Sequence, residues 1–139
     1  MRKRYQRAFT LVEMMAVVVI IGILAAIIAP NFFGQVDNTL ITRAKTDVET
    51  IKKAITLYKF NTNKYPEDLK DLTREPDNVK GWKGPYLERK NFRDPWENEY
   101  QYRSPGLDNR PFDVWSFGAD EEEGGEGTGS DITSWDVEE

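Results

Sequence analysis

With 139 residues, the chain has room for one modest domain. It contains no cysteine and no histidine, which excludes disulfides, thiolate or imidazole metal sites, cysteine nucleophiles and Ser-His-Asp chemistry. The formal net charge is −5, and Arg2, Lys3, Arg4 and Arg7 sit in the first eight residues; the remainder therefore carries −9 and lacks the basic face that nucleic-acid binding needs.

The basic octet is followed by an apolar run, FTLVEMMAVVVIIGILAAIIAP, over residues 9–30. Met14 to Ala29 has no polar side chain, and Phe9 to Ala29 as a helix spans roughly 30 Å, enough to cross a bilayer. The preceding Lys/Arg cluster predicts a cytoplasmic N-terminus, with the C-terminus carried across the membrane. Glu13 is the one charged residue in the run. A carboxylate in that setting is costly unless it has a partner.

RAFTLVEMMAVVVIIGILAAIIAP resembles the N-terminus of type IV pilins and pseudopilins, the class III signal family. The resemblance implies removal of residues 1–8 by a membrane prepilin peptidase cutting between Ala8 and Phe9, then methylation of the new Phe9 amine. The family usually has glycine where this chain has Ala8. It also implies that Glu13 meets the Phe9 amine of a neighbouring subunit during assembly. Two half-buried charges that are each costly alone become tolerable as a pair, which sets register between subunits.

Gly22 and Pro30 predict a kink or a weak segment, and the resemblance implies a region that loses helical form inside a filament. Beyond Pro30 the pattern turns amphipathic. Val36, Leu40, Ala44, Val48, Ile51, Ile55 and Tyr58 recur at helical spacing, opposite Asp37, Arg43, Lys45, Glu49, Lys52 and Lys53. One helix of roughly 50 residues is therefore expected, ending between Lys59 and Asn63 before the turn-like NKYP. Its first part, residues 9–33, is the transmembrane and assembly half. Residues 34–139 form a periplasmic head that includes the amphipathic half.

Residues 66–77, PEDLKDLTREPD, predict a short helix with Leu69 and Leu72 inward. Residues 79–96 read as an ordered loop held by Trp82, Tyr86, Phe92 and Trp96, aromatics taken as core packing rather than a sugar or peptide groove. Strands are expected at Tyr100–Arg103, Asp113–Phe117 and Ile132–Trp135. Three short strands over one long helix give an α+β head.

WKGPYL, DPWENEYQY, SPG and FDVWSFGAD followed by EGGEGTGSDITSW are similar to the major pseudopilins of the type II secretion system, which have the type IV pilin-like fold. Glu97 and Glu99 stand where that family commonly has glycine and proline.

GADEEEGGEGTGSDI gathers Asp120, Glu121, Glu122, Glu123, Glu126 and Asp131 among five glycines. On composition this is either a solvated acidic loop or a calcium site built from hard oxygens on a backbone free to wrap an ion. The EF-hand order is absent. The resemblance implies calcium in a loop at 117–131, held by Asp120, Asp131 and the Phe117 carbonyl, with Thr128, Ser130 or a carbonyl filling in, since Gly129 stands where relatives often carry an acidic or amide residue. With no disulfide, an ion there would staple the loop.

The function expected is structural, not enzymatic: a subunit polymerising into the periplasmic pseudopilus that drives folded proteins out through the type II secretion system. The partners implied are other copies of the chain, minor pseudopilins, the prepilin peptidase, an inner-membrane assembly platform with its separate ATPase, and lipid before assembly. The alternatives are a type IV pilus subunit for adhesion or motility, and a membrane-anchored hydrolase or sugar-binding module, which the missing His and Cys disfavour.

Overall fold

The computed structural model describes residues 9–88 and 92–136, with the side chains of 28–35 outside the described set. Helix α1 runs Leu11–Thr62, 52 residues, without interruption at Gly22 or Pro30. Its start follows from a four-residue signal, Thr10-x-x-Glu13. The Thr10 hydroxyl accepts the Glu13 N–H (3.2 Å), while Glu13 Oε2 accepts the Thr10 N–H (2.8 Å) and the Thr10 hydroxyl (3.0 Å). This capping box satisfies donors that a helix N-terminus otherwise leaves orphaned. The C-terminus lies where the sequence puts it, with Asn63 in left-handed conformation (φ 59°) donating to the Lys59 carbonyl.

The contacts divide the chain into two units, one up to Val36 and one from Asp37. In the second, α1 buries Ala44, Val48, Ile51, Ala54, Ile55 and Tyr58 against Leu69, Leu72, Leu87, Tyr100, Val114 and Ile132. Steps of three and four residues put these α1 positions on one stripe. The stripe begins later than the periodicity predicts. Leu40 is half-buried, and Val36 is 40% exposed because it belongs with the preceding apolar unit.

The helix predicted at 66–77 shrinks to a single 3₁₀ turn, Leu69–Leu72. Asp68 caps it through the Lys70 N–H, and Asp71 closes a capping box onto the Asp68 N–H. The turn ends where the N–H groups of Thr73 (3.0 Å) and Arg74 (3.2 Å) both close on the Lys70 carbonyl, and Pro76 denies the segment a further helical donor. Leu69 and Leu72 are buried as expected. Trp82, Tyr86, Phe92 and Trp96 pack against the core, with the Trp82 indole N–H donating to the Asp71 carbonyl (3.0 Å).

Three strands, β1 (Gln101–Arg103), β2 (Asp113–Ser116) and β3 (Ile132–Thr133), form an antiparallel sheet in the order β1-β2-β3. Tyr102 pairs with Val114 and Ser116 with Ile132. The strands fall where the sequence predicts, trimmed at their ends.

Candidate functional site

Two regions carry the sequence-predicted sites. The first is the start of α1. Phe9 is 80% exposed, and the large apolar side chains from Leu11 to Ile27 stay open all round the helix. Nothing lies within 4 Å of a Cβ added at Gly22. Ala8 lies outside the described residues, as does the Pro30 ring. Among the described residues, no helix is long and apolar enough to cross a membrane; the expected span, 9–29, runs past Ile27 into side chains that are not described. The structure gives Glu13 a duty that the sequence reading overlooked, capping α1 through Thr10. The signal was present as T-x-x-E ahead of an apolar run.

The second region is the connection from β2 to β3, residues 117–131. The Ala119 N–H donates to the Thr128 carbonyl (2.8 Å), and the Asp131 N–H to the Gly124 carbonyl (3.2 Å), so the two limbs of the loop lie side by side. Residues 127–129 form a 3₁₀ turn. Asp131 Oδ2 accepts the Gly124 N–H (3.0 Å), whereas its Oδ1 is buried with no hydrogen-bond partner among the described residues. A buried carboxylate oxygen left unsatisfied is costly. Asp120 Oδ1 accepts the Glu122 N–H (3.2 Å), while its Oδ2 occupies the space that a Cβ at Gly129 would fill. Glycine at 129 is what lets the Asp120 carboxylate lie against the opposite limb.

Among the described residues, no three Asp or Glu side chains converge on a metal-sized site. The oxygens available are two carboxylates plus backbone carbonyls. That hard-oxygen set, with the orphaned Asp131 Oδ1, fits calcium rather than a transition metal. Glu121, Glu122 and Glu123 are exposed, in keeping with a solvated run.

Sequence reasoning missed two buried carboxylates, one beneath this loop and one in the β1–β2 connection. Asp94, 3% exposed, accepts the N–H groups of Trp96 (2.9 Å) and Asn98 (3.0 Å) on Oδ1 and the Ser116 hydroxyl (2.5 Å) on Oδ2. Its signal is an Asp opening a proline-containing turn, DPWEN. Asp113, fully buried, binds Arg103 (2.6 Å), Arg110 (2.6 Å) and the Leu107 N–H (2.9 Å). Burial pushes its carboxyl up. Hydrogen bonds from Arg110, Leu107 and Arg103 outweigh that and hold it at about 2.

Comparison with known proteins agrees with this architecture. Residues 31–135 match the family described as type II secretion system (T2SS), protein G, and residues 3–29 match the prokaryotic N-terminal methylation motif. The type II secretion system core protein G of Vibrio cholerae is 41% identical over 144 aligned positions, covering 99% of this chain and 97% of that one. Its counterpart in Pseudomonas aeruginosa is 42% identical over 143, covering 98% and 99%. The crystal structure of the major pseudopilin from the type 2 secretion system of enterohaemorrhagic Escherichia coli shares the fold, with a TM-score of 0.62 at 24% identity, covering 76% of this chain and 91% of that one. The chain belongs to the protein G family of the type II secretion system.

Proposed function

We propose that the chain is made as a precursor, cut between Ala8 and Phe9 and methylated on Phe9. It is then held single-pass in the bacterial inner membrane, with its head periplasmic, until it polymerises. The observation that carries this reading is the apolar surface of α1 from Leu11 to Ile27, exposed on every side. A helix apolar all round is stable only in lipid or among other apolar helices, so the same segment serves as anchor before assembly and as filament core after it. The pseudopilus so formed drives folded proteins outward. Minor pseudopilins, the prepilin peptidase and an assembly platform with its own ATPase are the partners, and the subunit's role is structural rather than catalytic.

Register between subunits comes from Glu13 and the Phe9 amine of a neighbour. The capping bonds to Thr10 run to Glu13 Oε2, so capping and ion pairing engage one carboxylate together. Glu13→Gln separates the two duties, because its amide oxygen still caps while the charge is gone. The expected outcome is normal membrane insertion with filament yield down at least about tenfold, the equivalent of one lost charge pair worth about 1.4 kcal/mol or more. Glu13→Ala loses cap and charge alike. Filaments assembled by Glu13→Gln at wild-type yield would refute the pairing. Calcium, held by Asp120, Asp131 and the Phe117 carbonyl, with Thr128 or Ser130 completing the set, closes the 117–131 loop.

A further inference from the structure

The polar network beneath the loop has a specific target. Ser116 is fully buried at the end of β2, and its hydroxyl donates to Asp94 Oδ2 (2.5 Å). The Ser116 hydroxyl oxygen in turn accepts the Gly118 N–H (3.0 Å), and the Asn98 amide donates to the Gly118 carbonyl (2.9 Å). Both backbone groups of Gly118 are thus fixed by the 94–98 turn, which Asp94 itself holds shut. Gly118 has φ +71°, and a Cβ there would meet the Thr128 carbonyl oxygen at 2.6 Å and that of Ser130 at 2.9 Å. It is therefore one of the points where the two limbs of the loop touch.

The Phe117–Gly118 peptide is planar and trans, so its C=O points away from its N–H. Anchoring the Gly118 N–H on Ser116 consequently fixes the direction of the Phe117 carbonyl. We propose that Asp94, Ser116 and Asn98 are positioning residues for the metal loop, aiming the Phe117 carbonyl and pressing the 118–120 limb onto the 128–131 limb before an ion arrives. The proposal rests on the calcium reading of that loop. Outer partners of this kind typically change metal affinity 10–100-fold, because a ligand that must be reoriented on binding costs what a fixed one does not.

The test is calorimetric calcium titration of the full-length chain in detergent micelles, paired with the unfolding midpoint in excess chelator. Ser116→Ala and Asn98→Ala are expected to weaken calcium binding about 10–100-fold while remaining folded in chelator. Asp131→Ala is expected to abolish it. If the wild type binds calcium and both variants bind equally tightly, with only the chelator midpoint lowered, the residues are structural and the proposal is overturned. If the wild type shows no binding, the metal reading of the loop fails and the proposal falls with it. Should Ser116→Ala fail to fold, Asn98→Ala decides, since its half-buried side chain leaves little cavity.

Discussion

At φ +70°, Glu97 turns the chain between Arg93 and Glu99, which pair across an isolated bridge. Its N–H donates to the Asp94 carbonyl (3.1 Å), and its own carbonyl accepts from Arg93 (2.8 Å), so the backbone cannot relax to a commoner conformation without losing both bonds. A side chain in the left-handed region costs about 1–2 kcal/mol, and glycine avoids that cost at an entropic penalty of about 0.5–1 kcal/mol. A glycine at position 97 would therefore adopt this turn at lower cost than the glutamate does. Glu97→Gly is expected to stabilise the protein by about 0.5–1 kcal/mol in urea denaturation. A lower midpoint would show that the carboxylate makes a favourable interaction outweighing the strain.

At the scale of elements, the connection between β1 and β2 is organised around Asp113. Arg103 from β1, Arg110 and the Leu107 N–H all converge on it, and the two guanidinium groups also cover Trp115 and Trp135 (4.9 and 4.5 Å). Arg103 and Arg110 keep 36% and 27% of their side chains exposed, so this cluster sits just under the surface. Lowering the Asp113 carboxyl from 3.8 to about 2 favours the folded state by about 2 kcal/mol. Because the folded-state value is the lower one, that stabilisation is fully present above about pH 5 and disappears as pH falls through about 2. Asp113→Asn is expected to cost about 2–3 kcal/mol at pH 7, somewhat less than a fully enclosed pair because the arginines can hydrate. The variant and the wild type should converge near pH 2. A stability difference that stays constant from pH 7 to pH 2 would locate the loss in packing rather than charge.

At the scale of the whole molecule, the limbs of the long β2–β3 connection meet through backbone hydrogen bonds, Ala119 to Thr128 and Asp131 to Gly124, and through close approaches at Gly118 and Gly129. An ion bound only by the folded state stabilises it by about 2.7 kcal/mol at 100 times the dissociation constant, or about 10–20 °C in midpoint for a head of this size. Thermal unfolding of the full chain with calcium, then with chelator, should therefore show a shift of that order. Asp120→Ala and Asp131→Ala should each remove it, and magnesium, which holds its waters and prefers a stricter octahedron, should reproduce little. No shift at millimolar calcium would return the segment to a solvated acidic loop.

How much was legible in advance differs by type of interaction. The extent of α1, its buried stripe from Ala44 to Tyr58 and the three strands were readable because they rest on periodicity, composition and local spacing, which one stretch of chain expresses by itself; the family was readable from the resemblance of its motifs. The capping box at Thr10 and Glu13 is equally local, carried by T-x-x-E ahead of the apolar run. What only the tertiary structure decided was long-range. Asp94 meeting Ser116 across 22 residues, Asn98 reaching Gly118 across 20, and Asp131 left with one oxygen unpaired among the described residues are features that no window of sequence contains. Polar pairing depends on angles and distances set after the apolar core has packed, so the sequence determines the fold's frame while the folded chain alone determines how its loop is held.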